Sequence, residues 1–214
     1  FPSIETRFDE SVAPGLIEQP RLGRYQGFIQ LQAPAAAGQA FNQGGRYRAA
    51  YGLYSDQQFD RFTFRRLDLE ARHKFTVFGP HRRLTLHGWV ATTDASAGHD
   101  VPFFLQPTLG HNSQVRSVNE DLLGTDGSQA ALRGFDNFRF RDRQLLLLQA
   151  EYRVPVWGPL DATVFVDAGK VARRARDLNF SGLRRNYGVS LSMMRGSSTL
   201  ARTDIAFGGG EGLK

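Results

Sequence analysis

Hydrophobic and polar positions alternate along most of this chain. From Arg66 to Phe78, Leu67, Leu69, Ala71, His73, Phe75 and Val77 fall on one side of an extended backbone. Arg66, Asp68, Glu70, Arg72 and Lys74 fall on the other. The same period of two recurs downstream. Leu84, Leu86 and Val90 alternate with Thr85, His87 and Trp89. Leu146, Leu148, Ala150, Tyr152 and Val154 alternate with Gln149, Glu151 and Arg153. Leu160, Ala162, Val164 and Val166 alternate with Asp161, Thr163, Phe165 and Asp167. Tyr187, Val189, Leu191 and Met193 alternate with Gly188, Ser190 and Ser192, and Arg202 and Asp204 share a face opposite Thr203, Ile205 and Phe207. No long stretch keeps a helical period with caps at both ends. The pattern predicts strands at 22–33, 45–55, 62–78, 82–96, 142–157, 160–171, 184–196 and 199–208.

Several of these strands exceed the ~5–6 residues of ordinary soluble strands. They reach the ~9–11 residues that a tilted membrane strand requires. Glycines cluster where turns are expected, at Gly44-Gly45, Gly79-Pro80, Gly158-Pro159 and Gly208-Gly209-Gly210. Gly79-Pro80 and Gly158-Pro159 make short turns, whereas 97–141 is a long connection and 171–183 an intermediate one. Short turns on one side and long loops on the other is the layout of a membrane barrel. Tyr152 and Trp157 suit either an interfacial aromatic belt or simple packing.

Composition narrows the choice. The chain has 214 residues, 41% hydrophobic and 22% charged, and no cysteine. Disulfides, cysteine-ligated metals and thiol nucleophiles are therefore excluded. No apolar run reaches the ~18 residues of a membrane helix. A mean hydropathy of −0.38 still leaves a strand-built membrane protein open, because only every second residue of such a strand meets lipid. The net charge is +6 and the isoelectric point about 10.0. The basic residues are spread along the chain beside acids, which suits anionic lipid headgroups better than nucleic acid. The five histidines, His73, His81, His87, His99 and His111, form no metal-binding pair. Asp94, Asp100 and Asp126 lack calcium-loop spacing. There is no nucleophile elbow and no phosphate-binding loop. The expectation is a non-enzyme without metal or cofactor. The chain opens on Phe1 with no signal-peptide pattern, as expected of a mature or trimmed chain.

The long connection ends in Leu132-Arg133-Gly134-Phe135. It is followed by Glu151-Tyr152-Arg153-Val154-Pro155, then Phe165-Val166-Asp167-Ala168-Gly169-Lys170-Val171, then Gly188-Val189-Ser190-Leu191 and Arg202-Thr203-Asp204-Ile205-Ala206. Val12-Ala13-Pro14-Gly15-Leu16 and Val101-Pro102-Phe103 add to the set. This ordered series resembles the BamA/TamA-type bacterial surface antigen family of outer-membrane barrels, which assemble or translocate other proteins. The tetrad matches the family's [VIL]-R-G-[FY] loop tip, and 165–171 its F-x-D-x-G strand.

The resemblance implies an all-β, antiparallel transmembrane β-barrel in the bacterial cell outer membrane. Residues 1–214 would form the C-terminal part of the barrel, about eight strands of roughly sixteen. The long loop, 97–141, would fold into the lumen. There Arg133 would pair with Glu151 and Asp167, Gly134 would permit an unusual backbone conformation, and Phe135 would pack against the wall. The implied function is insertion, assembly or translocation of client outer-membrane or secreted polypeptides. The implied partners are outer-membrane lipid and periplasmic or lipoprotein subunits. The alternatives are a membrane anchor for a larger protein such as a patatin-type phospholipase, a structural component of an outer-membrane complex, or a soluble sandwich whose apolar faces meet.

Two features depart from the family pattern. The polar stretch His111–Gln129 is longer than the family requires and is expected to be an exposed excursion. The chain also stops at Glu211-Gly212-Leu213-Lys214, where the family continues into a closing strand. Eight strands closing alone would leave no room for the loop. Open edges in lipid are disfavoured. Further wall strands outside this sequence are therefore expected, the alternatives being other chains that complete the wall or a loop that lies outside it.

Overall fold

The computed structural model describes residues 13–15, 20–33, 44–79, 81–110, 132–136, 139–195, 198–208 and 212–213. The polar stretch 111–129 lies outside these. The alternating segments form β1 (Leu22–Ala33), β2 (Gly44–Asp56), β3 (Phe64–Thr76) and β4 (Arg83–Ala95). After the long connection come β7 (Gln144–Trp157), β8 (Leu160–Ala172), β9 (Arg184–Arg195), β10 (Ser198–Gly208) and the short β11 (Gly212–Leu213). The connection itself contains β5 (Thr108–Leu109) and β6 (Phe140–Arg141), which pair with each other. Every ladder is antiparallel, and the main sheet runs β1-β2-β3-β4-β7-β8-β9-β10-β11. β1 and β11 are its edges, and the sheet is not closed. Among the described residues no helix is long and apolar enough to cross a membrane.

Observed and predicted boundaries differ mainly at β3, which is shorter than 62–78. The Asp56 carboxylate accepts the backbone N–H groups of Gln58, Phe59, Arg61 and Phe62. Those donors are then not available to a ladder, and the Phe62 side chain is buried just after the exposed bend at 57–60. At the other end Phe78 has a φ of 56°, which breaks the extended backbone. The two-residue β11 has no alternating pattern and was not predicted.

The two faces of the sheet are inverted relative to a water-soluble protein. Leu69, Phe75, Leu86, Leu148, Val164, Val166, Val189, Leu191 and Ile205 are exposed. Arg66, His87, Thr163, Asp167, Asn186, Ser190 and Ser192 are buried on the opposite face. A sandwich would bury the first set against a second sheet. Here they point away from all other described elements, the arrangement suited to lipid outside and polar groups within. Trp157 and Phe78 are exposed at the short-turn end, with Tyr152 edge-on to Phe78 at 6.4 Å.

Part of the inner face is covered by the described ends of the long connection. Trp89, Ala91, Leu145 and Leu147 of the wall bury against Leu109, Leu132 and Phe135 of the connection. A second cluster joins Tyr54 and Phe64 to Val101, and Arg66 donates to the Leu105 carbonyl at 3.1 Å. Arg143 pairs with Asp100, and Arg141 donates to the Phe103 carbonyl. The connection is thus pinned at its start as well as at its tip.

Val166→Arg tests the inverted faces. In a lipid-embedded sheet it is expected to cost about 2–4 kcal/mol in denaturant unfolding from bilayers, whereas an arginine on a water-exposed strand surface would change stability by less than about 0.5 kcal/mol.

Candidate functional site

The tip of the connection delivers Arg133 onto the inner face. Leu132 and Phe135 flank it, both buried, and Phe135 meets Phe140 edge-on at 5.1 Å. These two apolar anchors set the tip down on the wall. The guanidinium then spans two strands. Its Nε donates to Asp167 Oδ2 at 2.9 Å, and one terminal nitrogen donates to Asp167 Oδ1 at 2.6 Å. The other terminal nitrogen donates to Glu151 Oε1 at 2.5 Å. This is the fork geometry that a planar guanidinium makes with carboxylates.

The acids are held in turn. Asp167 is fully buried on β8 and also accepts from Gln149 at 3.1 Å, from Asn186 at 3.0 Å and from the Arg133 backbone N–H at 3.4 Å. Glu151 on β7 also receives Arg202 of β10 at 3.2 Å. Arg202 in turn donates to Asp204 at 2.7 Å and to Ser190 at 3.0 Å. With this many donors the buried Asp167 carboxylate has no unmet lone pair. His87 extends the network. Its ring nitrogens lie 2.7 Å from Gln149 Oε1 and 3.0 Å from Glu70 Oε1. One connected set of polar side chains therefore links β3, β4, β7, β8, β9 and β10 to the loop tip.

The Arg133 guanidinium also lies over the Phe165 ring, 3.5 Å from its centroid. Phe165 has room to lie flat because its partner across the β8–β9 ladder is Gly188. A Cβ on Gly188 would come within 2.5 Å of the Phe165 ring. Cation–π attraction in this dry setting adds to the charge pairing.

The fold is similar to that of BamA. The chain superposes on a crystal structure of BamA from Haemophilus ducreyi lacking POTRA domains 1–3, with a TM-score of 0.58 and 12% identity. The match covers 87% of this chain and 38% of that BamA chain. No protein-family model and no curated protein sequence matches.

In this BamA-like sheet, Arg133, Glu151 and Asp167 come together, and Phe135 packs against the wall. Gly134 corrects the expectation. It was predicted to supply an unusual backbone conformation, yet it is not among the glycines with positive φ. Its role is close approach: a Cβ there would sit 2.6 Å from the Gly208 backbone nitrogen of β10 and 2.9 Å from Asn186 Cβ. Phe165, Gly188, Asn186, Gln149 and Arg202 were not assigned to the site from sequence. Phe165 carried a signal, because it shares the face of Asp167 two residues away. Gly188 and Asn186 could be placed only from the β8–β9 register. Among the described residues no three His, Asp or Glu side chains converge as metal ligands.

Arg133→Ala strands Asp167 among partners that cannot neutralise it. The expected cost is about 3–5 kcal/mol, seen as a lowered denaturation midpoint and faster proteolysis of the loop. Gly134→Ala is expected to lift the tip from β10 and give the same protease phenotype at a smaller cost, about 1–3 kcal/mol.

Proposed function

We propose that this chain forms part of the wall of a bacterial outer-membrane β-barrel that inserts, assembles or translocates client polypeptides. The observation that carries this reading is the Arg133 contact with Asp167 and Glu151, made by an inward-folded loop in a sheet whose apolar side faces out. The BamA-like fold supports it. Lipid would meet the outward face, and a polar lumen the inner one. No covalent bond is made or broken. An unpaired strand edge templates an incoming client strand through main-chain hydrogen bonds, and the pinned loop holds the shape of the wall while this happens. Periplasmic or lipoprotein subunits would deliver the clients.

The test is reconstitution of the full-length protein in liposomes with an unfolded outer-membrane client. Arg133→Ala is expected to keep its strand signal in circular dichroism and to lose most client insertion. Full insertion by that variant would overturn the reading. Retained stability with no insertion by the unaltered protein would favour a purely structural or anchoring barrel.

A further inference from the structure

Toward the short-turn end, the inner face carries a stripe of six cations, with Glu70 directly opposite Arg48 and with Glu151 and Asp161 acting only at longer range. Arg46 and Arg48 lie on β2, Arg72 and Lys74 on β3, Arg83 on β4 and Arg153 on β7. The register sets Arg46 directly opposite Arg72, and Arg83 directly opposite Arg153. Lys74 sits between them, opposite Thr85. Among the described residues none of the six makes an ion pair. Arg48 rests over Phe28 at 5.3 Å, and Arg153 reaches the Met194 sulfur at 3.7 Å. The Nε groups of Arg48, Arg72 and Arg83 are buried and have no hydrogen-bond partner. The nearby acids are engaged elsewhere, Glu70 with His87 and Glu151 with Arg133 and Arg202. Asp161 shares the face without forming an ion pair.

Like charges directly opposite one another destabilise a sheet, and buried donors without acceptors add to that cost. A water-filled lumen does not require it. The β8–β9 part of the same face carries the uncharged hydroxyls of Thr163, Ser190 and Ser192 instead, those of Thr163 and Ser192 also without a hydrogen-bond partner among the described residues. Cations set directly opposite one another in two ladders, where uncharged groups would serve, suit an anionic partner.

We propose that this stripe docks an acidic, extended polypeptide segment entering the barrel from the short-turn end. Bilayer headgroups are the poorer candidate, because the cations project opposite the apolar outward row of Leu69, Phe75, Leu86 and Leu148. The spacing fits a peptide. Cations two residues apart on a strand repeat at ~6.8 Å, the interval between alternate side chains of another extended chain. The inference uses the barrel reading above but not the client-handling activity.

The experiment measures fluorescence anisotropy of a labelled peptide of about ten alternating Glu and Ser residues, ~33 Å when extended, against the full chain in detergent micelles. The acidic peptide is expected to bind and to weaken at least tenfold between about 0.05 and about 0.5 M salt as screening shortens. The Arg72→Glu, Arg83→Glu double variant is expected to lose at least about tenfold in affinity, equivalent to about 1.4 kcal/mol. Reversal relieves crowding between like charges, so this variant should fold. The milder Arg72→Gln, Arg83→Gln pair should show a smaller loss in the same direction. Absence of binding, equal binding of a Lys-Ser peptide, or affinity unchanged in both variants overturns the inference. So does complete displacement by inorganic phosphate at the same total charge, which would mark a site for small anions. Peptide binding decides this inference and client insertion decides the earlier one, so either can fall alone.

Discussion

The inner architecture depends on one constraint: the positive charge on Arg133 has a single place to go. Leu132 and Phe135 could bury against many apolar surfaces, because hydrophobic contact is not directional. A guanidinium cannot. Away from water it requires acids at a set distance and angle, and Asp167 and Glu151 on adjacent strands supply them. Such a pair adds little net stability, since desolvation offsets most of the attraction. Its effect is selection. Any other seating of the loop would leave Arg133 and Asp167 without each other and Glu151 with Arg202 alone.

The inverted faces follow from the same chemistry. With apolar side chains outward, the wall has to fill its inner side with polar groups, and each of these needs a partner. On β7, β9 and β10, Gln149, Asn186 and Arg202 converge on the acids that hold the loop, and Ser190 accepts from Arg202. Interior polarity and loop docking are one network. β2, β3 and the adjoining parts of β4 and β7 differ, with cations set opposite one another across the ladders.

The strands were legible in the sequence because a period of two survives even when the buried face is the polar one. Asp167 and Glu151 were legible as inward-facing through the same parity, and Arg133 through the resemblance of its tetrad. What escaped were features that depend on register. Phe165 needs an empty position across the ladder, and Gly188 fills that need only once the strands are aligned. Gly134 was read as a conformational residue because loop glycines often are, but its constraint comes from β10, far away in sequence. The shortened β3 had a similar cause, with Asp56 drawing four backbone donors into a turn that period alone could not reveal.

The contact between Gly134 and Gly208 has a mechanical consequence. Backbone rests on backbone there, with no side chain between that could change rotamer and take up slack. An outward displacement of the last long strand by even an ångström would open a void that nothing nearby can flow into. The loop tip and that strand must therefore travel together, so that any event which pries at this margin of the wall is felt at once, deep inside, by the arginine.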